Sequence, residues 1–402
     1  MSANVPELRF SGFADPWEQR KLGELGVTYG GLTGKSKEDF GHGDARFVPY
    51  TNVFDNPIAD STRLGEVEID VSQNRVLHGD TLFTVSSETP NEVGMSSVWL
   101  SDLDNLYLNS FCFGYRQDGS FDPYYLAYML RSQSVRENIE LLAQGISRFN
   151  ISKGKVMEVE VPVPMMAEQR AVGALFSRLD SLIALHQRKH NQLSVLKSLL
   201  LERMFPKPGS DVPELRFSGF ADPWEQRKLG EFGSVEMCKR IYKEQTSESG
   251  EVPFFKIGTF GSEPDAFISN KLYESYRDEY PYPEPGTPLI SAAGSIGRTV
   301  VYQGERAYYQ DSNIVWLDHD DNLDNSFLDV FYSQVDWKLE GSTIKRLYNK
   351  DILNAEVCVP SLPEQRAVGA LFSRLDSLIA LHQRKLEKLR ALKQSLLQKM
   401  FV

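Results

Sequence analysis

The chain has 402 residues, 41% of them hydrophobic and 25% charged, an ordinary globular composition with length for two or three domains. No apolar run approaches the roughly eighteen residues that span a bilayer, and the opening MSANVPELRF lacks a signal-peptide profile, so a cytoplasmic protein without membrane contact is expected. Three distant cysteines, Cys112, Cys238 and Cys358, exclude a disulfide framework or zinc knuckle and read as reduced packing residues, while the net charge of -11 argues against a uniformly basic nucleic-acid binder.

In chain order, the first feature is a repeat. VPELRFSGFADPWEQRKLGE fills residues 5–24 and returns unchanged at 212–231. A variable block follows each copy, about 25–167 and 232–363, with little identity between the two. The first block predicts strands at RFVPYTNVF, DTLFTVS, SSVWL and LYLNSFCFGYR, then helix over DPYYLAYMLRSQSVRENIELLA. After Gly145, VMEVEVPVP leads into a helical block. There EQRAVGALFSRLDSLIALHQRK occupies 168–189 and recurs, letter for letter, at 364–385.

Within the helical block Val172, Leu175, Leu179, Leu182, Leu193, Leu196 and Leu200 follow heptad spacing, as do Val368, Leu371, Leu375, Leu378, Leu389, Leu392 and Leu396 in the second copy. These residues predict the seam of a helix pair. Phe176, Ile183 and Met204 widen the stripe, while His186, Lys189, His382 and Lys385 interrupt it. About 38 helical residues make a rod of about 57 Å, which PKPGSD at 206–211 ends. The second variable block predicts strands at VPFFKIGTF, TPLISAA, RTVVYQ and SNIVWL and a helix at NSFLDVFYSQVDWKL. Past Gly341, ILNAEVCVP opens the second rod. Because chain termini of a compact domain often lie close together, the rods are expected to run antiparallel, with residues 5–24 near Met400.

The fold class that follows is α+β: two domains of one fold, separated by two long antiparallel helices, in a pseudo-two-fold internal repeat. The expected divisions are 1–167, 168–205, 206–363 and 364–402. Residues 25–150 hold nine Lys/Arg against seventeen Asp/Glu, and 232–350 twelve against nineteen, whereas 168–205 has six against three and 364–402 eight against three. The rods are the basic part of an acidic chain.

Catalytic signatures fail one after another. YGGLTGKS at 29–36 has Tyr29 where a P-loop needs glycine, AAGSIG at 292–297 lacks the third glycine of a dinucleotide fingerprint, and DPYY at 122–125 lacks the second proline of an amino-methyltransferase motif. DWK at 336–338 lies far from the acidic partner that a nuclease core requires, and six scattered histidines give neither a triad nor a metal cluster. No catalytic residue, metal site or cofactor is expected in this chain.

The order of these parts, with WEQRKLGE opening each half and Pro164–Arg170 and Pro360–Arg366 (P-x-x-x-E-Q-R) opening each rod, resembles the specificity subunit of type I restriction-modification systems along essentially the whole chain. The resemblance implies that each variable block is a target recognition domain reading one half of a bipartite double-stranded DNA sequence. It implies that the rods fix the unread spacer and dock two modification subunits, which bring S-adenosylmethionine and methylate adenine. Restriction subunits using ATP and magnesium would complete the complex. The alternatives are a modification-only system and a coiled-coil adaptor that binds no DNA. Candidate DNA contacts lie in polar loops: Lys35, Ser36, Lys37, Ser86, Ser87, Asn91, Arg148 and Asn150 in the first block, and Lys256, Ser291, Ser295, Arg298, Lys345, Arg346 and Asn349 in the second.

Overall fold

The computed structural model describes residues 5–335, 337 and 346–402; Gly341 and the candidate Lys345 fall outside them. Each repeated opening segment becomes a strand that closes its own half. Glu18–Lys21 pairs antiparallel with Glu160–Val163, and Glu225–Lys228 pairs the same way with Glu356–Val359. Repeated opening and rod entrance are thus stitched together around each variable block.

The chain divides into two units, residues 1–187 with 384–402, and residues 188–383. The first unit holds a four-stranded antiparallel sheet in the order Gly26–Gly30, Cys112–Gln117, Thr81–Thr84, Ser96–Val98. Beside it is a three-stranded sheet of Gly65–Val67, Phe40–Val48 and Leu106–Leu108, the last pair parallel. The second unit repeats this order with Gly233–Glu236, Ile314–His319, Pro288–Ser291 and Thr299–Val301, and then Phe267–Ile268, Val252–Phe255 and Tyr308–Tyr309. Two blocks with little sequence identity have one topology.

Several elements differ from the sequence expectation. The strand expected through RFVPYTNVF stops at Val48, and Tyr50–Asp55 is helical because Pro49 sets the turn into it. The helix expected over 122–143 is two, Pro123–Met129 and Gln133–Glu140, separated at Arg131 and Ser132. Asn270–Glu279 is a helix with Ser269 as its N-cap; its apolar face is short, Tyr273 buried and Leu272 and Tyr276 half-buried among charged residues.

The long helices run Met166–Met204 and Leu362–Lys399, and the unit boundary falls inside both. In the first unit Phe176 meets the Phe401 ring at 5.7 Å, Lys393 Nζ donates to Asp180 Oδ1 at 2.5 Å and Arg390 donates to Gln187 at 2.9 Å. Rising numbers on one helix face falling numbers on the other, so the segments are antiparallel. In the second unit Phe205 faces Phe372 at 6.5 Å and Lys197 Nζ donates to Asp376 Oδ1 at 2.5 Å, giving the same direction. Leu8 N–H donates to the Lys399 carbonyl at 2.9 Å, which places the opening segment beside the C-terminal end.

Val172, Leu175, Leu179, Leu389 and Leu396 join the first unit's core, and Val368, Leu371, Leu375, Leu193 and Leu200 the second's. Leu182 and Leu378 are half-buried. Leu196 and Leu392 depart from the expected seam: they are 44% and 48% exposed, because Lys197 and Lys393 take the inward positions of that turn and reach Asp376 and Asp180. Leu386, outside the heptad assignment, is fully buried. No helix among the described residues is long and apolar enough to cross a membrane.

Candidate nucleic-acid interface

The frame that carries the readers explains the repeated letters. Glu168, in the first turn of its rod and fully buried, accepts Arg9 Nε at 2.6 Å and Nη2 at 2.8 Å, and Trp17 Nε1 at 3.1 Å. Glu364 receives Arg216 in the same fork at 2.7 and 2.8 Å. Gln169 accepts the Asp122 N–H and donates to the carbonyls of Ser120 and Pro164; Gln365 does the same with Asp324, Asn322 and Pro360. Each E-Q pair therefore ties its rod to the opening segment and to the loop before the reader's helix. Gly173 and Gly369 permit close approach of that helix: a Cβ would stand 2.7 Å from Tyr125 N, or 2.0 Å from Ser326 Oγ.

On the first reader, Tyr50, Phe54, Ser86, Ser87, Glu88, Glu92, Phe111 and Arg148 line one cavity of about 310 Å³. It forms where the strand pair Ser86–Ser87 with Phe149–Asn150 meets helix Tyr50–Asp55, whose Tyr50 hydroxyl donates to the Ser86 carbonyl at 2.6 Å. Two arginines, Arg131 half-buried and Arg136 buried, fix its walls. Arg131 donates to the carbonyls of Ser96, Val53, Phe54 and Asn56 at 2.7 to 2.9 Å, and burial pushes its guanidinium down to about 10. Arg136 gathers the carbonyls of Asn91, Val93 and Gly94. Phe111, 58% exposed, stands on the turn before strand Cys112–Gln117.

On the second reader, Ser312, Arg346, Leu347, Tyr348, Asn349 and Lys350 line a cavity of about 380 Å³. Arg346 Nη2 donates to the Ser312 carbonyl at 2.8 Å. The structure therefore groups Ser86, Ser87 and Arg148 in one place and Arg346 and Asn349 in another.

The remaining candidates are scattered, and some are already engaged. Lys35 forms a 2.8 Å ion pair with Asp70 and its side chain is 16% exposed, so it is a strut of its loop; Asp39 accepts both the N–H and the hydroxyl of Ser36. Lys37, Asn91 and Asn150 are exposed. Ser86 and Ser87 are buried, and Ser291, also buried, has its hydroxyl committed within the 291–298 loop, where it accepts Arg298 N–H and donates to the Ser295 carbonyl. Arg298 itself donates to the Gly261 carbonyl, and Lys256 pairs with Asp265 at 2.8 Å. Sequence reasoning missed Phe111, Tyr348, Arg131 and Arg136; an arginine interrupting the apolar run LAYMLRSQSV was the available signal for the third.

A model of the type I restriction modification DNA specificity domain matches residues 14–195 and again residues 221–391. The chain belongs to that family. The chain is 38% identical over 236 residues to a type I restriction enzyme specificity subunit of Haemophilus influenzae, a match covering 58% of this chain and 60% of that one. It is 22% identical over 416 residues to the StySPI type I restriction enzyme specificity subunit of Salmonella potsdam, covering 96% and 88%. In fold it is similar to the crystal structure of the S subunit of a type I restriction-modification system from M. genitalium, with a TM-score of 0.62, 18% identity and 99% of each chain covered. Both matched segments are specificity domains. Among the described residues no group of His, Cys, Asp and Glu could hold a metal ion.

Proposed function

We propose that this specificity chain selects the DNA sequence on which a type I restriction-modification complex acts, each reader recognising one half of a bipartite duplex target. The observation that carries this reading is the contrast inside the chain: two readers of one strand order, anchored by identical Arg–Glu and Gln contacts, present unlike side chains at equivalent loops. Such a chain carries two independent specificities on one repeated frame. Two rigidly held readers demand two short sequences at a set separation and phase, since B-DNA turns once in about 10 base pairs. The rods would set the unread spacer and dock two modification subunits carrying S-adenosylmethionine. Restriction subunits with ATP and magnesium would join them in the cytoplasm. The chain itself would remain non-catalytic, and its net charge of -11 fits a division in which partner subunits supply much of the phosphate affinity.

The test is the methylome of cells expressing this chain with its modification subunit. A two-part target with methylated adenine in each half is expected. Replacing residues 25–167 by the corresponding block of another member should change one half alone; a change in both halves, or methylation independent of this chain, overturns the reading.

A further inference from the structure

The second reader carries a basic loop that the polar-loop candidates did not include. In the first reader the segment Leu32–Lys37 (LTGKSK) runs from buried Leu32 to Ser36, which precedes a short 3-10 turn. In the second, Cys238–Lys243 (CKRIYK) runs from buried Cys238 to Tyr242, which precedes the same kind of turn. Gly34 is replaced by Arg240, and the loop gains Lys239 and an exposed Tyr242.

Arg240 is exposed yet held. Its Nε donates to Asp311 Oδ2 at 2.9 Å, with side-chain exposures of 59% and 15%. Asp311 belongs to the turn before the central strand Ile314–His319, and the next residue, Ser312, has a φ of 54°, a left-handed conformation uncommon for a residue other than glycine. Arg346 also holds that turn, donating to the Ser312 carbonyl. Arg240 and Arg346 thereby pin one turn at adjacent residues, and Arg346, Tyr348 and Asn349 line a cavity with its Ser312. The contact with Asp311 uses the inner nitrogen of the guanidinium. The two terminal nitrogens form the end-on fork that matches O6 and N7 of guanine in the major groove, and the bond from Nε to Asp311 does not use that fork.

We propose that Arg240 is a specificity-determining residue that reads a guanine in the second half-site through its terminal nitrogens, and that Asp311 positions it. This rests on the DNA-specificity reading above and sharpens it to one base. The first reader presents Phe111 on the equivalent turn and no side chain at Gly34, so its half-site lacks this contact. An arginine held by a carboxylate keeps its orientation before DNA arrives and gives up less side-chain freedom on binding than a free one.

The experiment uses the full chain in complex with its modification subunit, read by methylome sequencing and by binding to duplexes that vary the second half-site one position at a time. The wild-type complex should require a guanine at one position of that half. R240A should relax that position, with preference for guanine falling roughly 5- to 100-fold, while the first half-site stays intact and so reports a folded, assembled complex. R240K keeps the charge without the fork; it should retain overall affinity and its salt dependence yet lose the guanine preference, whereas a phosphate contact would survive in R240K with specificity unchanged. D311N should weaken the preference less than R240A. A wild-type second half-site without guanine on either strand, or an R240A methylome identical to wild type, overturns the assignment of Arg240. A wild-type complex directing no sequence-specific methylation would instead reject the function on which it rests.

Discussion

Trp17 and Trp224 occupy identical sequence surroundings and yet differ at one atom: Trp17 Nε1 donates to Glu168, whereas Trp224 Nε1 is buried without a protein partner. W17F should cost about 1 kcal/mol more than W224F, since the first loses a buried bond and the second removes an orphan donor; calorimetric scans of the two variants check this, and equal losses would contradict the hydrogen bond. Asp329 offers a second residue-level test. Burial raises its carboxyl above the ordinary 3.8, with Asp376 adding to the rise and Lys197 opposing it, and its Oδ1 has no partner. A raised folded value means that the native state holds the proton more tightly. Stability from this group is thus complete below the unfolded value and is lost as pH rises through the folded one. D329N, which cannot ionise, should stabilise the protein at pH 7 and bring no advantage near pH 3; a benefit constant across that range would show packing and not charge to be the cause. At this scale the sequence singles out polar loops more readily than the partners that hold their side chains. Arg148, Arg346 and Asn349 were readable as polar residues after a glycine. Arg240 was not, because the role proposed for it depends on Asp311, 71 residues away, and on a turn that only the tertiary pairing creates.

At the scale of elements the rods were legible because identity and heptad spacing are both properties of the letters. The exceptions have one cause. Leu196 and Leu392 fit a heptad, but the antiparallel partner presents Asp376 and Asp180 there, so the neighbouring lysines turn inward. Helix Asn270–Glu279 was missed because its apolar face is only Leu272, Tyr273 and Tyr276 among charged residues, and the break at Arg131 because its side chain is consumed by loop carbonyls. The two acidic residues of the rod pairs also differ in what they hold. Asp180 accepts the Tyr128 hydroxyl at 2.8 Å besides Lys393, joining rod to reader; at the equivalent position the second reader has Val330, and Lys197 is the hydrogen-bond donor to Asp376. D180A should therefore cost about 1 kcal/mol more than D376A, beyond the exposed-pair contribution of about 0.5 kcal/mol common to both. Chemical denaturation of each variant measures this, and equal costs would mean that the Tyr128 bond adds nothing.

At the scale of the whole molecule, the repeat has a consequence for assembly. In the first unit Phe401 packs on Trp17, Tyr125 and Phe176 at 6.5, 5.7 and 5.7 Å. In the second, Phe205 packs on Trp224, Phe327 and Phe372 at 5.7, 5.7 and 6.5 Å. Residues 188–205 and 384–401 therefore fill like pockets with like side chains: Lys197 stands for Lys393, Leu200 for Leu396, Met204 for Met400 and Phe205 for Phe401. A fragment of residues 1–205 contains both a first-unit pocket and a segment that fits it in a second copy. It should form a two-fold dimer in which Asp180 of each copy meets Lys197 of the other. Two differences weaken that dimer. The covalent link is gone, which makes association concentration-dependent, and His190 replaces the fully buried Leu386. H190L should accordingly tighten self-association by roughly tenfold or more, since burying a leucine contributes about 1.5 to 3 kcal/mol. Light scattering of the fragment and of its H190L variant across a concentration series should show dimers, earlier for the variant. With the modification subunit present, two identical readers related by a two-fold should direct methylation to an inverted repeat of the first half-site. Monomers at every concentration, or an asymmetric target, would show that the two rod ends are not interchangeable.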